Sequence, residues 1–129
     1  MSNKLVDICV NLTDDVFLGK EKKIIDAANK NNISKMVLVG NDLESSKKVS
    51  ALAEEFNFIS TAGYHPHNAK DWNTNSYECL LSILKKGHVK AVGECGLDFN
   101  RNFSTPEIQH SVFLEHINLA KQTNLPLFI

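Results

Sequence analysis

The chain has 129 residues, of which 43% are hydrophobic and 22% charged, a composition typical of one soluble globular domain. Lys and Arg total 14 against 15 Asp and Glu, so the net charge of −1 does not predict a nucleic-acid-binding surface, and any phosphate affinity must come from a local site. No apolar run approaches the roughly 18 residues of a membrane span, and no secretory signal is apparent, so we expect a cytoplasmic protein without a membrane partner.

The first half of the chain predicts three strands separated by two helices. Leu5–Val10 is an apolar run broken only by Asp7, as expected for a buried strand that leads into a loop. Apolar residues on one face predict a helix between Lys20 and Lys30. A second amphipathic helix should begin after Asp42, which is placed to cap it. The predicted strands of this half are Leu5–Val10, Met36–Val39 and Phe58–Ala62.

The second half repeats the alternation. Leucines at helical spacing around Leu80 predict a third helix with Gly87 as its C-terminal cap. Ser104–Glu107 combines a hydroxyl cap, a proline and an acid, a pattern that predicts the start of a fourth helix. That helix should end at Asn124. Its expected inward residues are Phe113, Ile117 and Ala120. The predicted strands of this half are Val89–Val92 and Leu125–Ile129.

Buried strands that alternate with helices indicate a parallel α/β sheet, either doubly wound or closed as a (β/α)8 TIM barrel. No Gly-x-Gly-x-x-Gly motif follows the first strand, and polar candidates follow several strands in turn, at Asn11, His65 and Glu94. Both features favour the barrel. Because a barrel takes about 250 residues, residues 1–129 should be the N-terminal part of one barrel domain, with four βα units and strand five.

Glu94 is the strongest candidate for a functional residue. It ends a predicted strand between Gly93 and Gly96, and the glycines let the backbone approach a ligand closely. Carboxylates suit hard divalent cations, so Glu94 is expected to be a metal ligand or an acid/base group. Asp98, four residues later, could act in the same site or hold the loop by hydrogen bonds.

Two histidines and one arginine extend the candidate site. His65 and His67 flank Pro66 after the third strand, where an imidazole can bind metal or move a proton. A site role is favoured for His65, whereas His67 could equally be exposed or cap the loop. Arg101 could clamp a phosphate with its planar guanidinium or form a surface salt bridge.

The remaining cysteines and histidines are interpreted as structural. The three cysteines are widely spaced, as expected for reduced thiols, and Cys95 is a bystander in the key turn because no histidine lies near it in sequence. His88, His110 and His116 are expected to be surface or packing residues.

Three stretches, Asp7–Thr13, Thr61–His67 and Gly93–Pro106, together resemble the TatD family of metal-dependent deoxyribonucleases. The likeness extends over the whole chain, and the third stretch is the most specific. Most relatives carry His-x-His after strand one, where this chain has Cys9-Val10-Asn11, although the TatD branch also shows Val-Asn-Leu-Thr there. The family's remaining histidine and aspartate ligands are expected beyond Ile129.

The resemblance implies a cytosolic metallohydrolase that digests DNA from the 3′ to the 5′ end with Mg²⁺, or with Mn²⁺ or Zn²⁺ as alternatives. Glu94 matches the carboxylate metal ligand, and His65 matches the histidine near the bound phosphate. His65, Asp98 and Arg101 are then the expected catalytic residues, with His65, Asn11 and Arg101 contacting substrate. The substrate should be single-stranded DNA or a frayed 3′ end, because a pocket at the barrel mouth cannot reach a phosphate inside a duplex.

Two other functions remain open. The chain could be a catalytically incomplete fragment or interaction module, since strands one and five of a half barrel would have unpaired edges. It could also belong to a related metallohydrolase acting on an ester of aminoacylated tRNA or on a cyclic amide, because loops decide the substrate on this scaffold. The sequence makes no prediction of oligomeric state.

Overall fold

A computed structural model describes residues 4–129, in which strands and helices alternate along the chain. The strands are β1 (Leu5–Val10), β2 (Ile33–Leu38), β3 (Ile59–Ala62), β4 (Val89–Gly93) and β5 (Leu127–Phe128). The α-helices are α1 (Glu21–Lys30), α2 (Leu43–Phe56), α3 (Ser76–Leu84) and α4 (Pro106–Thr123). Short 3-10 segments at Asp15–Phe17 and Pro66–Asp71 follow β1 and β3.

The five strands form one parallel sheet in the order β1-β2-β3-β4-β5. Because βα crossovers are right-handed, a strand order that never reverses places every helix on the same face of the sheet. A doubly wound sheet instead reverses its strand order and carries helices on both faces. The observed order is therefore that of a barrel segment with four βα units and a fifth strand, which confirms the predicted fold class.

Local sequence signals fix where the longer helices begin and end. Asp42 accepts a hydrogen bond from the Ser45 amide, and the Ser45 hydroxyl accepts one from the Asp42 amide, so α2 begins in a full capping box. Thr105 caps α4 by accepting from the Ile108 amide, with Pro106 in the first turn. Asn124 ends α4 in a left-handed conformation, as predicted.

The apolar core lies between the sheet and the helices, in two clusters. One lies under α3 and α4, and the other lies under α1 and α2. The buried members of the first are Ala62, Tyr64, Ala69, Leu80, Leu81, Ile83, Leu84, Val89, Val92, Val112 and Leu119. Those of the second are Leu12, Ile25, Met36, Leu38, Val49 and Ala53. None of the helices in residues 4–129 is both long and apolar enough to cross a membrane.

The prediction that β1 is buried is wrong. Leu5, Val6 and Ile8 are 56%, 55% and 63% exposed, because β1 is an edge strand that pairs only with β2 within the described sheet. The bounds of the other four strands also differ from prediction, by one residue at one end for β3 and β4 and by more for β2 and β5. β2 begins earlier, at Ile33, and β5 is confined to Leu127–Phe128.

Two details of the predicted helices are wrong as well. α3 ends at Leu84, so Gly87 lies beyond the helix and does not cap it. In α4, the expected inward residues are only half-buried, and the fully buried stripe is Gln109, Val112, His116 and Leu119. The helix turns this mixed stripe to the sheet because Gln109 and His116 find backbone hydrogen-bond partners there.

His116 links α4 to the loop after β3. Its side chain is fully buried, its Nε2 accepts the Tyr64 amide at 2.8 Å, and its Nδ1 donates to the Val112 carbonyl at 2.7 Å. Both ring nitrogens are thus occupied in the neutral form, and burial lowers the pKa of His116 below its ordinary value. The residue holds the backbone next to His65.

We expect His116→Leu to lower the free energy of unfolding by about 1–3 kcal/mol at pH 8, because the buried Tyr64 amide loses its acceptor. The folded state disfavours the charged ring, so the unfolded state binds more protons as pH falls below about 6.5, and wild-type stability should decline there. Urea unfolding between pH 8 and pH 5 should show a smaller decline for His116→Leu. The exposed His110→Leu variant on the same helix is the control, and an undiminished decline in His116→Leu would refute the assignment.

Candidate metal and phosphate site

The ends of β3 and β4 approach each other so closely that both must carry glycine. A Cβ added to Gly63 would lie 2.6 Å from the Gly93 Cα. Gly93 has φ +144°, a conformation that L side chains rarely adopt, and a Cβ there would collide with the Phe128 carbonyl oxygen of β5. The three strand ends therefore meet at Gly93, which a cis peptide bond joins to Glu94.

Glu94 lies where these ends converge. Its amide donates to the Gly40 carbonyl, which follows β2, at 2.9 Å. This bond joins the ends of β2 and β4, two strands that are separated in the sheet by β3. The Glu94 Oε1 lies 3.7 Å from the His65 Nε2, and the two side chains keep 26% and 24% of their surface exposed. Both line one cavity of about 380 Å³, together with Asp98 and Phe99. The structure thus brings two of the predicted site residues into contact distance.

The hydrogen bonds of His65 define its chemical role. Its Nδ1 accepts the His67 amide at 3.1 Å, so in the neutral ring the proton is on Nε2, the atom nearest Glu94. Burial lowers the pKa of His65, although the Glu94 charge opposes that effect. At neutral pH His65 therefore presents an N–H donor to the cavity rather than a lone pair for a metal ion.

Asp98 forms the densest set of hydrogen bonds in the site. Its Oδ2 accepts the His67 Nε2–H at 2.6 Å, and its Oδ1 accepts the amides of Asn100 and Arg101 at 3.0 and 3.2 Å. The His67 hydrogen bond, followed by the backbone ones, lowers the pKa of Asp98 to about 2. The carboxylate is ionised, and its hydrogen bonds hold the loop after β4, while a catalytic role for Asp98 stays a prediction. Asp98 also pairs with His67, a residue for which the sequence predicted either an exposed side chain or one that caps the loop.

Gln109 of α4 holds the same loop, and its role in the site was not predicted from the sequence. Its Oε1 accepts the Asp98 amide at 2.7 Å, while its Nε2 donates to the carbonyls of Asp98 and Ser104 at 3.0 and 2.8 Å. The Ser104 hydroxyl in turn donates to the His67 carbonyl at 3.1 Å. The position of Gln109 on the inner face of α4, one turn before Val112 and two turns before His116, is a sequence signal that could have indicated this role.

The other two predicted contacts lie at the edges of the site. Arg101 is 59% exposed, with its Nη1 3.7 Å from the Asp98 Oδ2. Asn11 lines a separate polar pocket of about 370 Å³, and its Oδ1 accepts the Asn41 Nδ2 at 3.0 Å. Asn41 connects the two pockets, because its carbonyl accepts the His65 amide at 2.9 Å. The buried Asn41 Oδ1 has no hydrogen-bond partner among the described residues.

The cysteines near the site are poor nucleophiles. Burial raises the pKa of Cys95 to about 12, so the thiol stays protonated, as expected of a bystander. Cys9 is exposed, yet partial burial and the charges of Glu94 and Asp7 raise the pKa of its thiol. Cys9 therefore lies in the electrostatic field of Glu94.

The donors present fit part of a divalent metal site. Glu94 offers a half-buried carboxylate whose Oε1 lies 3.7 Å from the His65 Nε2. Because that distance is beyond hydrogen-bond range, an ion bound by the carboxylate would break no hydrogen bond to His65. Across residues 4–129, no group of three His, Cys, Asp or Glu side chains is placed to hold a metal ion. The described chain thus supplies one strong oxygen ligand and not a complete ligand shell.

The chain matches the family model described as TatD related DNase over residues 6–129. It is 41% identical over 126 residues to the 3′-5′ ssDNA/RNA exonuclease TatD of Cronobacter sakazakii and 36% identical over the same length to that of Escherichia coli. Each match covers 97% of this chain and 48% of the relative. The chain therefore spans about half the length of these curated relatives.

Solved structures agree with this likeness. The chain superposes on YJJV, a TatD homologue from Escherichia coli, with a TM-score of 0.86 at 29% identity, covering 95% of this chain and 49% of that one. A TatD family hydrolase from Entamoeba histolytica gives a TM-score of 0.86 at 26% identity, covering 98% and 49%. The five-stranded segment is thus similar to about half of each of those barrels.

We expect Gly93→Ala to destabilise the fold by about 3 kcal/mol or more, because the new Cβ meets the Phe128 carbonyl in a backbone conformation that alanine avoids. Gly87→Ala is the matched control, since a Cβ added there would meet nothing within 4 Å and the φ of Gly87 is outside the left-handed region. It should change stability by less than about 1 kcal/mol. Equal unfolding midpoints for the two variants in urea would contradict the close approach of the strands.

Proposed function

Because this chain belongs to the family of TatD-related DNases, we propose that it supplies the metal- and phosphate-binding part of a 3′ to 5′ exonuclease acting on single-stranded DNA or RNA. The observation that carries the proposal is the convergence of Glu94 and His65, 3.7 Å apart, in one cavity at the carboxyl ends of the strands. The matched relatives named as 3′-5′ ssDNA/RNA exonucleases support the reaction type.

Glu94 is the residue of this chain that would hold the divalent ion. A carboxylate oxygen suits Mg²⁺ or Mn²⁺ better than Zn²⁺, which favours nitrogen and sulfur donors. His65 presents an N–H and His67 donates its Nε2–H to Asp98, so neither nitrogen offers a lone pair to the ion. When bound, the ion would neutralise phosphate charge and lower the pKa of an attacking water. We therefore propose Mg²⁺, with Mn²⁺ as its substitute.

The other residues bind and orient the phosphodiester. The His65 Nε2–H donates to a non-bridging phosphate oxygen beside Glu94, and burial keeps the ring neutral for that role. Asp98 and His67 act as positioning residues, because their 2.6 Å bond ties the Glu94 loop to the His65 loop. Arg101 is exposed on the same loop and reaches a neighbouring phosphate with its guanidinium.

Asn11 and the polar pocket around it contact the sugar or base of the bound nucleotide. The pocket is lined by amide, hydroxyl and carboxylate groups and adjoins the His65 backbone through Asn41. A strand end that enters both pockets must be unpaired, which favours a single-stranded substrate.

A second candidate, a half barrel with no hydrolytic activity of its own, is favoured by one observation. Within the described residues a single carboxylate, rather than a group of three ligands, is available to an ion in the cavity. Such a chain would still bind a divalent ion weakly through Glu94. Binding and hydrolysis must therefore be measured separately.

We expect Glu94→Gln to abolish Mg²⁺-dependent release of mononucleotides from the 3′ end of a 5′-labelled single-stranded oligonucleotide. Substitution of groups that merely support a metal ligand costs roughly 10- to 100-fold, so loss of the ligand itself should cost more. Excess chelator should stop wild-type hydrolysis in the same assay. Glu54→Gln, an exposed glutamate on α2, is the matched control and should behave as wild type.

Titration of Mn²⁺ followed by electron paramagnetic resonance distinguishes the two candidates. Wild-type binding that requires Glu94, without hydrolysis, would favour the inactive half barrel. Hydrolysis that persists in Glu94→Gln, or Mn²⁺ binding unaffected by that substitution, would remove Glu94 as the metal ligand.

A further inference from the structure

Two phenylalanines are exposed on the loop that joins β4 to α4. Phe99 and Phe103 are 48% and 59% exposed, and Arg101 lies between them in the sequence. Exposed aromatic rings on a polar loop are not explained by packing of the described core. We propose that Phe99 is the platform on which the terminal base of a single-stranded nucleic acid stacks. This inference rests on the proposed nuclease function and names the part of the substrate that Phe99 recognises.

The position of Phe99 relative to the phosphate site carries the inference. Phe99 lines the same cavity of about 380 Å³ as Glu94 and His65. A nucleobase is joined to its phosphate through a single sugar, so a ring beside a phosphate site is placed to meet a base. Base–aromatic stacking tolerates any sequence because every base has a π-face, which is what an exonuclease requires.

The loop holds Phe99 in a defined place rather than letting it move freely. The Asn102 Nδ2 donates to the Phe99 carbonyl at 2.7 Å, and the preceding residue, Asp98, is clamped on both its amide and its carbonyl by Gln109. The Phe99 ring also lies against His110 of α4, with ring centroids 5.5 Å apart and planes tilted by 41°. A ring that is already positioned loses less freedom when a base stacks on it.

Phe103 provides an internal comparison. Its ring packs edge-to-face with the His67 ring, with centroids 4.8 Å apart and planes at 88°, and it does not line the cavity that contains Glu94. It therefore packs against the His67 ring. Phe103 is the matched control because it has the same side chain as Phe99, a similar exposure and a place on the same loop, but lies outside the cavity.

The test compares binding of two oligonucleotides that differ in one base. Decathymidylate labelled at its 5′ end, with either an intact or an abasic 3′-terminal nucleotide, is titrated with protein in Ca²⁺ and followed by fluorescence anisotropy. Wild type should bind the intact strand roughly 5- to 150-fold more tightly than the abasic one, the range that loss of one stacked base implies. Phe99→Leu should bind both strands with the lower affinity, and Phe99→Tyr should keep the preference. Phe103→Leu should also keep it.

Each outcome decides the inference. If wild type binds but does not distinguish the strands, or if Phe99→Leu retains the preference, the stacking role is wrong while the proposed function stands. If wild type binds neither strand, the proposed function fails and the inference fails with it. Circular dichroism of each variant checks that the fold is retained, and Phe99→Tyr keeps the test valid if removal of the ring unfolds the loop.

Discussion

The structure of the site depends on the close approach of β3, β4 and β5 at their carboxyl ends. No side chain fits between Gly63 and Gly93, and none fits between Gly93 and the Phe128 carbonyl. This contact brings the Glu94 amide within hydrogen-bond distance of Gly40 at the end of β2. Because the ends of β2 to β5 are held together, side chains that follow separate strands share one small cavity.

A second layer of hydrogen bonds fixes the loops that carry these side chains. The His67–Asp98 bond joins the loop after β3 to the loop after β4, and Gln109 and Ser104 anchor that junction to the start of α4. His116, two turns further along α4, holds the Tyr64 amide next to His65. Polar residues on the buried face of α4 therefore serve the site, since a purely apolar face would leave the loop backbones without partners.

The sequence predicted most of the fold and only part of the site. Alternating strands and helices, the Asp42 and Thr105 caps and the Asn124 end of α4 are local patterns, so they could be predicted. The exposure of β1 could not, because the apolar residues of an edge strand look like those of a buried one. Glu94 and His65 could be predicted as site residues because each stands at the end of a strand. The pairing of His67 with Asp98 could not, because it joins residues 31 positions apart and has no local signature.

We propose that Glu94 and His65 together form one site for a divalent ion and a phosphate. The most direct test is a crystal structure of the protein soaked with Mn²⁺ and thymidine 5′-monophosphate, with anomalous scattering to locate the metal. We expect an anomalous peak within bonding distance of the Glu94 carboxylate and a phosphate oxygen within hydrogen-bond distance of the His65 Nε2. An ion or phosphate bound elsewhere, with the cavity between Glu94 and His65 filled only by water, would contradict it.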